Sequence, residues 1–233
     1  MPYSKFTLEE LKQKFNIILT TNKGKFHNLP EVSPSQFLIE DLEEYLPLAV
    51  AIGSEKARSE LIVAPILVAV IKHFNQQISL FSGIDFNVDT ELGLNGFCDF
   101  IISNSMQQLF IESPVITLVE AKNDNLKSGL AQCIAEMVAA QIFNQRQSNN
   151  ISKIYGAITT GTVSQFLELE GETVVLDLPN NCGLKPPLLR GKKRSFAEQS
   201  VRIGWRGFLA ISNRPREEMI FPNLQSSAVL TFL

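Results

Sequence analysis

An α/β (α+β) fold with a central mixed sheet flanked by helices is the class this sequence predicts. Segments with helical apolar spacing stand before and after a cluster of aromatic and β-branched runs. Those runs are bounded by Gly, Asn and Pro, the usual punctuation of strands. The order reads helix, three strands, helix, then further strands, which places helices against a sheet. With 233 residues, 45% of them apolar, the chain can bury a substantial core.

Taken in order, Thr7 and Glu10 stand at capping-box spacing behind Phe6, predicting a short helix over 8–15. "TNKGKFHNLPEVSPS" reads as a loop, and "QFLIEDLEEYL" resumes helical spacing. Ser54 is placed to cap a helix running through "EKARSELIVAPILVAVIKHF" to about Phe74, with a kink or packed turn at Pro65. "ISLFSGIDFNV" (78–88) and "GFCDFIISN" (96–104) read as strands, and a third follows Ser113-Pro114 over 115–122. Residues 126–147 give a long helix, "KIYGAITTG" (153–161) a strand, and "SQFLELEGETVVLDL" (164–178) a hairpin turning at Glu170-Gly171. The expected division is a helical extension over 1–53, a core over 54–178, and an irregular tail over 179–233 broken by Pro and Gly.

Charge divides the same way. From Pro179 onward there are nine Lys/Arg and three Asp/Glu, against twelve and twenty-one before it, within a net charge of −3. An acidic body argues against coating nucleic acid nonspecifically. The basic "RGKKR" at 190–194 reads either as a phosphate-contacting arm or, more simply, as a solvated loop. The apolar run "LIVAPILVAVI" is too short to cross a bilayer, and the charged N-terminus lacks the core of a secretory signal. Cys98, Cys133 and Cys182 match neither a disulfide framework nor a zinc pattern, so the expected setting is reducing and cytoplasmic.

"VITLVEAK" ends an apolar strand on Glu120 and Lys122, which alternation sets on one face with Ile116 and Leu118. In "GFCDFIIS", Asp99 is likewise flanked on its face by Phe97 and Ile101. An isolated buried charge is costly, so such residues pair, hold a metal or take up a proton. Two carboxylates and a backbone carbonyl from neighbouring strands make an oxygen-rich site suited to Mg2+ or Mn2+. Each residue also has a plainer reading. Glu120 with Lys122, Glu60 with Lys56, and Glu136 with Gln132 all stand at pairing distance along their elements, and Glu10-Leu11-Lys12 repeats the E-x-K triplet on a surface helix. His27 and His73 are too isolated for a Ser-His-Asp hydrolase.

Asp99 in "GFCDF" with Glu120 and Lys122 in "VEAK" resembles the PD-(D/E)XK nuclease superfamily, as do Gln132 in "LAQCIAEM" and the opening helix carrying Glu60. The resemblance covers roughly residues 54–178 and is closest to small bacterial members. It implies a restriction-endonuclease-like core of order αβββαβ and a Mg2+-dependent hydrolysis of phosphodiester bonds in DNA, with RNA as another substrate. It further implies that Asp99, Glu120 and the carbonyl of Ala121 hold the metal, Glu60 adding a contact. Lys122 then orients water and stabilises charge, with Gln132 supporting either the lysine or the water. Many such nucleases dimerise, and no heptad here speaks to that. The competing reading is a nuclease-like fold that binds nucleic acid or a protein without cutting.

Overall fold

The computed structural model describes residues 2–26, 34–123, 125–149 and 151–178. The tail over 179–233, with "RGKKR" and Cys182, and His27 lie outside the described residues.

The described elements are α1 (Leu8–Phe15), β1 (Ile18–Lys23), α2 (Gln36–Ile52), α3 (Glu55–Arg58), α4 (Ala64–His73), β2 (Ser79–Asp85), β3 (Phe97–Ser103), β4 (Val115–Ala121), α5 (Leu130–Arg146), β5 (Lys153–Thr159), β6 (Ser164–Glu170) and β7 (Thr173–Leu178). The strands form one mixed sheet in the order β1-β7-β6-β5-β4-β3-β2. β2, β3 and β4 are antiparallel neighbours, β4 and β5 are parallel, β5, β6 and β7 are antiparallel, and β1 lies parallel to β7. The parallel pair requires a crossover, which α5 supplies.

Each face of the sheet carries a core. On one, α5 packs with Tyr3 and Leu11 over Ile101, Leu118, Ile158 and Leu167. On the other, Leu42 and Leu46 of α2 and Ile66, Leu67 and Val70 of α4 cover Phe100, Val119 and Ala157. Every residue of β4 is buried, because helices lie above and below it. No helix among the described residues is long and apolar enough to cross a membrane.

Local chemistry accounts for most boundaries. Thr7 and Glu10 form the expected capping box, and Ser54 caps α3 by accepting from the Ala57 N–H. The hairpin register closes at Glu170↔Thr173, leaving a two-residue turn in which Gly171 has φ +59°. Pro65 produces the packed turn rather than a break. Ser59–Val63 form a π turn, with Ala64 N–H bonded to the Ser59 carbonyl, and the wider turn makes room for the proline ring at the start of α4.

Two expectations need correcting. The helix through "QFLIEDLEEYL" is longer than that stretch, running through Pro47 to Ile52 and ending on Gly53, at φ +69°. Burial of Leu46 and Ala49 on either side of the proline outweighs the lost rung. Nor is the 1–53 extension purely helical or separate, since β1 joins the sheet and the Tyr3 hydroxyl donates to the Phe86 carbonyl at 2.5 Å. As an edge strand, β1 is exposed at most positions, so it shows no alternation to read.

Asn144, buried on α5, locks that helix to the start of β4. Its amide accepts from the Val115 N–H at 2.8 Å and donates to the Val115 carbonyl at 2.7 Å. Asn144→Ala leaves both buried groups without partners, and urea unfolding should show a loss of about 2–4 kcal/mol.

A carboxylate pair and a lysine where two strands part

The β3–β4 ladder runs Ile102↔Thr117, Ile101↔Leu118, Phe100↔Val119 and then ends. On its other edge β4 stays paired, through Glu120↔Ile158, Ala121↔Thr159 and a bond of 2.8 Å from Lys122 N–H to the Thr159 carbonyl. The Ala121 N–H, left without a ladder partner on the β3 side, donates instead to Asp99 Oδ2 at 2.8 Å. The strand pair therefore opens at the point where both acidic residues stand, and one carboxylate stitches the gap.

Glu120 is almost wholly buried. Its Oε1 accepts a hydrogen bond from Lys122 Nζ, and its Oε2 is buried with no partner. Glu55, from α3, brings a third carboxylate to 4.0 Å from Lys122 Nζ. Gly129, just before α5, lets the helix start sit close. A Cβ there would meet the Lys122 Cε at 3.0 Å and the Glu120 Cγ at 3.3 Å. Arg58 ties the wall together, donating to Asn123 Oδ1 at 3.2 Å and to the Thr160 carbonyl at 3.1 Å.

The electrostatics follow from burial. Loss of solvent, and then the nearby Asp99, raise the Glu120 pKa to about 7, against the opposing pull of Lys122. Burial likewise holds Asp99 above its usual range despite the Ala121 N–H. Burial alone would lower Lys122, but Glu120, then Glu55 and Asp99, keep it above the ordinary lysine value and charged. The site thus sets a charged ammonium against two carboxyls, Asp99 and Glu120, that burial makes harder to ionise.

The sequence-predicted residues divide. Asp99, Glu120 and Lys122 do come together, with the Ala121 peptide between the last two. Glu60 does not join them. It pairs with Lys56 at 2.8 Å, its side chain 58% exposed, because five residues of helix turn it roughly 140° away from the direction of Glu55. Glu55 reaches the site instead. At the sequence level it is an acidic residue in the first turn of a capped helix, a position that the helix dipole already explains.

Gln132 also differs from the expectation that it supports Lys122. Its Nε2 donates to Glu136 Oε1 at 3.1 Å. That pair is not an exposed polar stripe, because Glu136 is fully buried and its Oε2 has no partner. Burial, and then Glu120, push the Glu136 carboxyl well above the usual carboxylate range. Cys98 and Cys133 are buried free thiols, and burial raises both, which makes them inert packing groups.

The donor set can be tested against a divalent ion. Among the described residues, no three or more His, Cys, Asp or Glu side chains group to hold a metal. Mg2+ does not need three, since it keeps several waters and takes one or two carboxylates. Asp99 and Glu120, with the Ala121 carbonyl beside them, are hard oxygen donors, and the partnerless Glu120 Oε2 is a buried acceptor that a cation would satisfy. The residues present fit the ion. Compared with family models, curated proteins and solved structures, the chain matches none.

Proposed function

We propose that the protein is a metal-dependent nuclease of PD-(D/E)XK type that hydrolyses phosphodiester bonds in DNA. The observation that carries this reading is the meeting of Asp99, Glu120 and Lys122 at the parted ends of β3 and β4. Asp99 and Glu120 would hold Mg2+, or Mn2+ in its place, with the Ala121 carbonyl. When bound, the ion supplies positive charge to the attacked phosphate and to the attacking water.

The chain's own contribution is positional. Asp99 is oriented by the Ala121 N–H, which leaves its second oxygen available to a ligand. Lys122 lies 14% exposed and well charged, placed to orient a water and to stabilise charge gathering on phosphate oxygens. Its bond to Glu120 keeps the site neutralised while no substrate is present. Glu55, beside Lys122, helps hold the ammonium charged.

The alternative is a nuclease-like fold that binds nucleic acid or a protein without cutting, favoured by the acidic balance of residues 1–178. Cleavage of plasmid, single-stranded DNA and RNA with and without Mg2+, beside Asp99→Ala and Lys122→Ala, separates the two. The nuclease reading expects Mg2+-dependent cutting that both variants lose. Equal cleavage by parent and variants would expose a contaminant and leave the binding reading.

A further inference from the structure

Phe97 opens β3 two residues before Asp99, and 66% of it is exposed. Alternation sets both side chains on the same face of the strand, about 7 Å apart along it.

The backbone at this point is held from several directions. Phe97 pairs with Asp85 on β2, the Gly96 carbonyl accepts from the Phe86 N–H at 2.8 Å, and the Gly96 N–H donates to Asn87 Oδ1 at 3.0 Å. The Tyr3 N–H bonds the Asn95 carbonyl at 3.0 Å. All of these bonds are made by backbone groups on the Phe97 side, so the fold does not require an aromatic ring at 97. The backbone that carries the ring is thus held in place, and the ring itself is left open to solvent and to a ligand.

Its surroundings distinguish it from the other exposed apolar residues. Met106, Leu109 and Phe110 follow the far end of β3, and Phe37, Leu48 and Ile52 lie on α2. Around Asp99, by contrast, stand Lys56, an exposed ammonium that Glu60 first and Asp99 also stabilise, and the charged Lys122. An aromatic face beside cations is the chemistry that grips an unpaired nucleotide, by its base and by its phosphates.

We propose that Phe97 is a stacking platform for an unpaired nucleobase next to the phosphate held at Asp99 and Glu120, so that the strand entering the site is single-stranded or frayed. This rests on the nuclease reading. A base inside a duplex is covered on both faces by its neighbours and cannot offer one to Phe97, whereas a single-stranded base can.

The test uses the full chain with Ca2+ replacing Mg2+ and fluorescein-labelled ten-nucleotide dT, ten-nucleotide U and a blunt ten-base-pair duplex. Fluorescence anisotropy should show Phe97→Ala and Phe97→Leu weakening single-strand binding about tenfold, Phe97→Trp preserving it, and duplex binding unchanged. With Mg2+, Phe97→Ala should raise KM on the single strand and leave kcat near that of the parent. Single-strand binding and KM unaltered in Phe97→Ala, while the parent binds and cuts, would overturn the stacking role alone. A parent that neither binds nor cuts any of the three would overturn the nuclease reading and the platform together.

Discussion

Lys122→Met should lower Mg2+-dependent cleavage by about 100- to 1,000-fold, the loss that follows removal of one charge-stabilising donor from an active site. Methionine keeps the length and the apolar stem but removes the ammonium. The same change removes the ion partner of Glu120, whose carboxylate is buried and has one oxygen without any other contact. A pH signature follows. Glu120 titrates near 7 in the folded protein, above the ordinary glutamate range it regains on unfolding. A carboxyl raised in this way lends stability that is fully present below the unfolded value and is lost as pH rises through the folded one. Without Lys122 its pKa moves higher still, and the variant should lose stability over pH 5 to 9 more steeply than the parent. Thermal melting in EDTA across that range reads the effect. Parallel profiles for the two proteins would show that Lys122 does not compensate the Glu120 charge.

Glu120→Gln should separate stability from activity in the opposite direction. The amide keeps the shape and removes the charge that burial and Asp99 oppose. In metal-free buffer at pH 8 the variant should gain on the order of 1–3 kcal/mol over the parent, the lower end reflecting the weakened Lys122 pair. The gain should shrink as pH falls below 7 and vanish below about pH 4, where Glu120 is protonated in the folded and the unfolded parent alike. Mg2+ should raise the melting temperature of the parent at pH 8 and leave that of Glu120→Gln unchanged, since one of two carboxylate donors is gone. Cleavage by the variant should fall to background. A variant less stable than the parent at pH 8 would mean that the Lys122 pair outweighs the burial of the charge. The physical point is that a buried carboxylate without a full set of partners costs stability, and removing its charge relaxes the fold.

Much of this architecture is legible from residues alone where the signal is local. The Thr7/Glu10 box, the Ser54 cap, the three β-branched runs and the turn at Gly171 each depend on a few neighbouring residues, and each appears where spacing places it. The exposed edge strand β1 and the continuation of α2 through Pro47 escape such reading. β1 is defined by its partner β7, more than 150 residues away, and α2 by the core packed against Leu46 and Ala49.

The candidate site divides along the same line. Side-chain alternation by itself determined that Asp99, Glu120 and Lys122 sit among core positions, because the period of a strand depends on nothing but backbone geometry. Only the tertiary structure decided which helix residues meet them. Glu60 stands in solvent on Lys56 while Glu55, on the other side of the same helix, reaches Lys122, and on α5 Gln132 pairs with the buried Glu136. Helix phase and docking angle arise from contacts between distant segments, and a glutamate's role changes with a rotation that no local pattern records.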